Sequence, residues 1–182
     1  MIFIVGLGNP GTRYQLTRHN VGFLIIERLS VELGIKMREL NVSYVGNGNI
    51  GEVSVTLIKP ITYMNLSGQA IRGYKNSINE PSDLIVIQDD IDIDTGRIKI
   101  KQGGSSGGHK GVQSIIDTLG SRDFIRVKIG VGRDINMPVE EYVLRKFNPS
   151  ERIIIDETIY TAADAVISII TNGIDIAMNK FN

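Results

Sequence analysis

The sequence predicts an α/β fold: one domain, residues 1–182, built on a twisted, mixed, mostly parallel β-sheet with helices on both faces. Three observations carry this. Short apolar or alternating runs recur along the chain, and most are separated by stretches with the period of a helix. The first run, residues 2–5, is continuously apolar, as a strand buried on both faces must be. Two runs, 42–45 and 53–59, are joined by a short Gly- and Asn-rich segment, which makes them an antiparallel hairpin and the sheet mixed.

Taken in order, residues 2–5 form the first strand. Residues 20–33 form a helix, because Val21, Leu24, Ile25, Leu29 and Leu33 fall on one face and Gly34 stops it. After the hairpin, Pro60 ends the second strand, and 65–76 reads as a helix. Residues 84–88 form a short buried strand, and 97–101 alternate basic and apolar. The loop "QGGSSGGHKG" leads into a helix over 112–119, ended by Gly120. Residues 125–131 alternate again, with Ile125, Val127, Ile129 and Val131 on one face and Arg126 and Lys128 on the other. Pro138 opens a helix to 147, and Ser150 caps a long helix to 171, closed by Gly173.

Bulk properties exclude several classes. A chain of 182 residues, 42% hydrophobic and 22% charged, is ordinary for a globular domain. With no cysteine there is no disulfide, zinc–thiolate site or thiol nucleophile. No apolar run nears the ~20 residues of a membrane span, and the first residues lack the basic flank and apolar stretch of an export signal. A soluble cytoplasmic protein is expected. Net charge is zero, from 20 basic and 20 acidic residues, but the charge is uneven. Residues 83–94 hold five aspartates and no Lys or Arg, whereas 95–116 hold Arg97, Lys99, Lys101 and Lys110 and no acid. A bipolar surface and two solvated loops are equal readings of that pattern.

Three familiar motifs fail on context. Gly6, Gly8 and Gly11 have the G-x-G-x-x-G spacing, but the helical pattern starts only near Asn20, and Pro10 removes a backbone N–H that a phosphate would use. Glu27 has the spacing of a ribose-binding acid but lies inside the helical pattern. "GGSSG" fits a nucleophile elbow around Ser105, yet no histidine follows His109 to complete a triad. Asp90, Asp92 and Asp94 resemble the start of a calcium loop, but Thr95 and Lys101 stand where glycine and glutamate are required.

A less local set remains: His19 before the first helix, Asn9 in the glycine loop, Asn65 after "KPITYM", and Asp89 after the buried strand 84–88. Loops at the carboxyl ends of strands in an open α/β sheet converge on one crevice. There a neutral imidazole takes a proton from water, a carboxylate on its other nitrogen fixes the tautomer, and asparagine amides donate to a developing oxyanion. Such a set hydrolyses an activated acyl group, an ester, without serine, cysteine, metal or cofactor. The same residues also read as helix caps, turn closers and a surface acid.

The stretches "VGLGNPGTRYQLTRHNVG" (5–22), "KPITYMNLSG" (59–68), "QDDIDIDTGRIKIKQGGSSGGHKG" (88–111) and "RVKIGVGR" (126–133) resemble the bacterial peptidyl-tRNA hydrolase family, in its order and spacing, over the whole chain. The resemblance implies hydrolysis of the ester joining a peptide to the 3′ end of tRNA, by a monomer without cofactor or metal. It implies that His19 is the general base, that Asp89 holds it in its basic form, that Asn9 admits N-blocked peptidyl groups, and that Asn65 contacts substrate and water. Tyr14, Tyr63 and Met64 would line the groove, with His109, Lys110 and Arg133 among the substrate contacts. Lys110 replaces an asparagine common in the family. It cannot accept a hydrogen bond but can pair with a phosphate or carbonyl oxygen.

Two strands with basic faces, Arg97, Lys99 and Lys101 and then Arg126 and Lys128, offer charge to an RNA backbone, since counterion release needs only a local patch. The lesser alternative is that these lysines protect a sheet edge. An RNA-binding protein on this scaffold without hydrolysis, and a nucleotide-dependent enzyme, are the competing classes.

Overall fold

A computed structural model describes residues Met1–Asn182. Seven strands, β1 (Ile2–Gly6), β2 (Arg38–Leu40), β3 (Ser43–Ile50), β4 (Val53–Pro60), β5 (Leu84–Asp90), β6 (Ile98–Gln102) and β7 (Ile125–Gly130), make one sheet in the order β2-β3-β4-β1-β5-β7-β6. The central strands β4, β1, β5 and β7 are parallel. The flanks β2-β3-β4 and β7-β6 are antiparallel. The mixed sheet is as expected.

Alternation assigns the two faces. Ile4, Ile85, Ile87, Val127 and Ile129 pack on one side beneath helices α1 (Val21–Glu32) and α4 (Pro149–Asn172). Phe3, Val5, Leu84 and Val86 pack on the other, against α2 (Lys110–Leu119) and the turns after β4. α1 sends Val21, Ile25, Ile26 and Leu29 into the core with no exposure. Burying each such side chain is worth about 1.5–3 kcal/mol, an upper figure given a compact unfolded state. The connection from β1 to β4 thus crosses one face and that from β4 to β5 the other. Their carboxyl ends diverge around β1, the place where open α/β sheets form a crevice.

Several local expectations are corrected. The Gly- and Asn-rich residues 46–49 are strand, not turn, and the turn is Gly51–Glu52. Gly46 and Gly48 sit under Ile35, whose side-chain carbons would lie 2.6 and 2.5 Å from a Cβ there. Residues 65–76 are not an α-helix but two 3-10 segments, Met64–Ala70 and Arg72–Ser77. Gly68 lies against α2, where a Cβ would stand 2.2 Å from the Ser114 carbonyl oxygen. The long helix is capped by Asn148, whose Oδ1 accepts the Glu151 amide at 2.8 Å, and not by Ser150. The helix after Pro138 is short, α3 (Val139–Val143). β2 and a last helix, α5 (Ile174–Phe181), were not expected. Beyond α5, the Ile100 N–H donates to Asn182 Oδ1 at 2.6 Å and Asn182 Nδ2 donates to the Ile100 carbonyl at 3.1 Å, along the outer side of β6.

Candidate active site

A cleft of about 900 Å³ opens at the carboxyl ends of the parallel strands. Its walls carry Asn9, Tyr14, His19, Tyr63, Met64, Asn65, Asp89, His109, Lys110, Lys128 and Arg133. Eleven of the residues singled out from the sequence therefore share one cavity. Lys99, Lys101 and Arg126 do not line it.

Asp89 ends β5 and is buried, at 2% exposure. His19 lies in a 3-10 turn, Arg18–Asn20, that leads into α1. Its Nδ1 is 2.8 and 3.0 Å from the two Asp89 oxygens. His109, at the N-cap of α2, reaches the same carboxylate through Nε2, 2.9 Å from Oδ1. The two rings stand 4.9 Å apart. The first-turn amides of Gly111 and Val112 donate to His109 Nδ1 at 3.2 and 3.3 Å. That nitrogen is thus an acceptor, the ring hydrogen sits on Nε2, and His109 donates to Asp89. This tautomer makes the three groups, although close enough to chelate an ion, a hydrogen-bonded cluster. His19 likewise donates from Nδ1, which leaves its Nε2 lone pair available in the cleft.

Burial alone would raise the Asp89 pKa. The charges of His19 and then His109, with hydrogen bonds from both, outweigh it and hold the carboxyl well below the usual carboxylate range. The carboxylate is therefore held in its ionised form between the two rings.

Asn9 is fixed from both sides. Its N–H donates to Asn20 Oδ1 at 2.8 Å, and Asn20 Nδ2 donates to its carbonyl at 2.9 Å. Its own Oδ1 accepts the Met64 amide at 2.8 Å. The side-chain oxygen is thereby committed, and the Nδ2 donor is the end left for a ligand. Asn65, one residue on, is exposed at the cleft wall. Tyr14 and Tyr63 meet edge to face, ring centres 6.5 Å apart, on the same wall. Ile91, Val139 and Val143 add an apolar end.

Two supports escaped the sequence reading although they flank His19 in "TRHN". Asn20 braces the Asn9 loop. Arg18 is buried at 6% exposure, donates to the carbonyls of Arg145 and Lys146 at 3.2 and 3.1 Å, pairs with Glu151 at 2.6 Å and stacks over Tyr142. It ties the α3–α4 region to the turn that presents the imidazole. A polar residue between an apolar strand and an apolar helix was the only signal for either.

The basic strands are not one uniform surface. Lys99 and Lys101 are exposed on β6. Lys128 pairs with Asp90, and Arg133 lies 3.6 Å from Asp92 at the rim. Arg126, expected on the RNA-facing side, is 2% exposed and gives its donors to backbone carbonyls of the 103–105 loop. Its side chain does point away from the Val127 face, but the loop folds over it, so it is not a surface contact.

Comparison with known proteins adds an independent line. The family model for peptidyl-tRNA hydrolase matches residues 3–182. Peptidyl-tRNA hydrolase of Thermodesulfovibrio yellowstonii is 50% identical, covering 100% of this chain and 99% of that protein. The enzyme of a Thermoanaerobacter species is 49% identical, with 100% of both covered. The crystal structure of peptidyl-tRNA hydrolase from Acinetobacter baumannii superposes with a TM-score of 0.93 at 34% identity, over 100% of this chain and 94% of that one. With the fold, the site and full-length similarity in agreement, the chain belongs to the peptidyl-tRNA hydrolase family.

Proposed function

We propose that this chain hydrolyses the ester between a peptidyl group and the 3′ end of tRNA, through a water molecule that His19 deprotonates. The observation that carries the reading is the pairing of His19 Nδ1 with the ionised, buried Asp89, which leaves Nε2 as the basic nitrogen in the cleft. Water oxygen attacks the ester carbonyl carbon while its proton passes to His19. The amide of Asn9, with Asn65, donates to the oxyanion. The tetrahedral intermediate then expels the ribose oxygen, which takes the proton back from His19. Acid and tRNA are the products, and no covalent enzyme intermediate forms. The base is worth ~10²–10⁴ in rate and an oxyanion donor ~10²–10³, which suits an ester.

Tyr14, Tyr63 and Met64 form the wall for the acyl group. Lys99 and Lys101 supply charge for phosphates beside the cleft, with Lys128 and Arg133 nearer its rim. Lys110, at the first turn of α2 and exposed, suits a phosphate or carbonyl oxygen. The resemblance also makes the enzyme a cytoplasmic monomer, and sedimentation tests the second part.

The decisive experiment is release of an N-acetylated aminoacyl group from tRNA by His19→Ala, with the fold followed by circular dichroism. Loss of turnover in a folded variant is expected, and undiminished turnover ends the mechanism. Tight tRNA binding without cleavage by the unaltered chain would favour the non-catalytic binder.

A further inference from the structure

We infer that Arg126 is a positioning residue for the catalytic cluster: it moors the glycine-rich loop that delivers His109 to Asp89. The inference rests on the His19–Asp89 mechanism above.

Arg126 lies in β7, in register with Val86 of β5 and Lys101 of β6. Its Nη1 donates to the Ser105 carbonyl at 2.7 Å, and its Nη2 donates to the carbonyls of Gly103, at 2.6 Å, and Gly104. Three consecutive peptide oxygens thus converge on one guanidinium. The backbone can turn them inward because Gly103 and Gly104 have φ of +72° and +98°, where side chains are strained. A Cβ on Gly104 would also lie 3.2 Å from Arg126 Nη2.

Arg126 makes no direct ion pair: its hydrogen bonds all go to carbonyl dipoles, with the Asp90 carboxylate acting on it from farther away. Burying a cation among neutral carbonyls is unfavourable unless every bond is well placed. An apolar residue would fill the site at less cost if filling were the only need. What the guanidinium adds is a planar fork that holds a flexible segment in one shape.

That segment leads to the site. Past Ser105 come Ser106, Gly107 and Gly108, and the His109 N–H donates to the Ser106 carbonyl at 3.1 Å. His109 caps α2 through Nδ1 and donates to Asp89 through Nε2. The loop is therefore fixed at one end by Arg126 and at the other by the cap and the carboxylate. Released at Arg126, it leaves His109 free to withdraw from Asp89, and the carboxylate loses one of the two donors that orient it toward His19.

The test is a double-mutant cycle in the full chain with N-acetylated aminoacyl-tRNA, using Arg126→Lys, His109→Ala and the pair. Arg126→Lys keeps the charge but not the fork. It is expected to lower kcat ~10–100-fold, the scale of a small displacement in a catalytic group, and to leave the salt dependence of KM as it was. In the His109→Ala background it should cost little more, since both act through one path. Losses that multiply, or a raised KM with a flattened salt dependence and intact kcat, overturn the inference. A second readout avoids reliance on turnover: the proton resonance of the His109 Nε2–H should shift or vanish in Arg126→Lys, and an unchanged resonance overturns the inference equally. Turnover that survives His19→Ala sinks mechanism and inference together. A kcat that collapses in His19→Ala but not in Arg126→Lys sinks the inference alone.

Discussion

Asn9 and Met64, 55 positions apart in the chain, are joined by one buried hydrogen bond in which Asn9 Oδ1 accepts the Met64 N–H at 2.8 Å. The bond locks the loop after β1 to the segment after β4 and decides which end of the Asn9 amide faces a substrate. Structure and chemistry share one side chain here, so a substitution that separates them is informative.

Asn9→Asp keeps an acceptor for Met64 but has no hydrogen to donate. It is expected to lower kcat ~10²–10³-fold, as loss of an oxyanion donor does, while the Met64 amide stays protected from hydrogen exchange. Asn9→Ala removes both functions. It leaves a buried N–H unpaired, which costs about 1–3 kcal/mol, and Met64 should then exchange faster. Equal turnover by Asn9→Asp and the unaltered chain would remove the amide from the chemistry.

The Asp89 carboxyl is depressed below its ordinary value of 3.8, first against burial and then by the two imidazoles. A lowered folded-state pKa contributes stability that is fully present above the unfolded value and is lost as pH falls toward the folded one. Urea denaturation of the native chain and of Asp89→Asn should therefore differ most above pH 3.8, with the gap closing in more acid solution. The variant should also lose ~10²–10⁴ in kcat, because an amide can present its N–H to His19 Nδ1 and leave the wrong tautomer. A stability difference that widens toward low pH would contradict the assignment.

Lys99 and Lys101 are exposed, and neither takes part in an ion pair. As phosphate contacts, each should account for about one unit in the slope of log affinity against log salt. Replacing both by glutamine is expected to raise KM at moderate ionic strength and to flatten its salt dependence accordingly. A slope untouched by the double replacement would assign these lysines to the sheet edge alone.

Much of this arrangement was legible in the sequence because it follows from local pattern. Apolar runs marked β1, β5 and β7, the spacing of Val21, Ile25 and Leu29 marked α1, and the ends of successive strands brought Asn9, Asn65 and Asp89 near His19. What escaped depends on contacts between distant segments. Residues 65–76 have a helical composition, but close approach of Gly68 to α2 winds them into 3-10 turns. Residues 46–49 look like a turn because glycine there makes room for Ile35, a side chain from outside the hairpin.

Charge misled for the same reason. Alternation places Arg126 and Lys128 on one face of β7, which is correct, yet one is buried and the other half-buried. The difference is a loop that returns some 20 residues earlier in the chain to cover Arg126. His109, expected among the substrate contacts, lines the cleft, and its hydrogen bonds there go to Asp89 and to α2. No local spacing tells a histidine which partner its second nitrogen will meet.

The bonds between Asn182 and both polar groups of Ile100 carry a further consequence. A single side-chain amide imitates the peptide unit of a neighbouring strand and terminates the ladder where another molecule would otherwise begin to stack. A strand added on that flank would find both polar groups of Ile100 already satisfied.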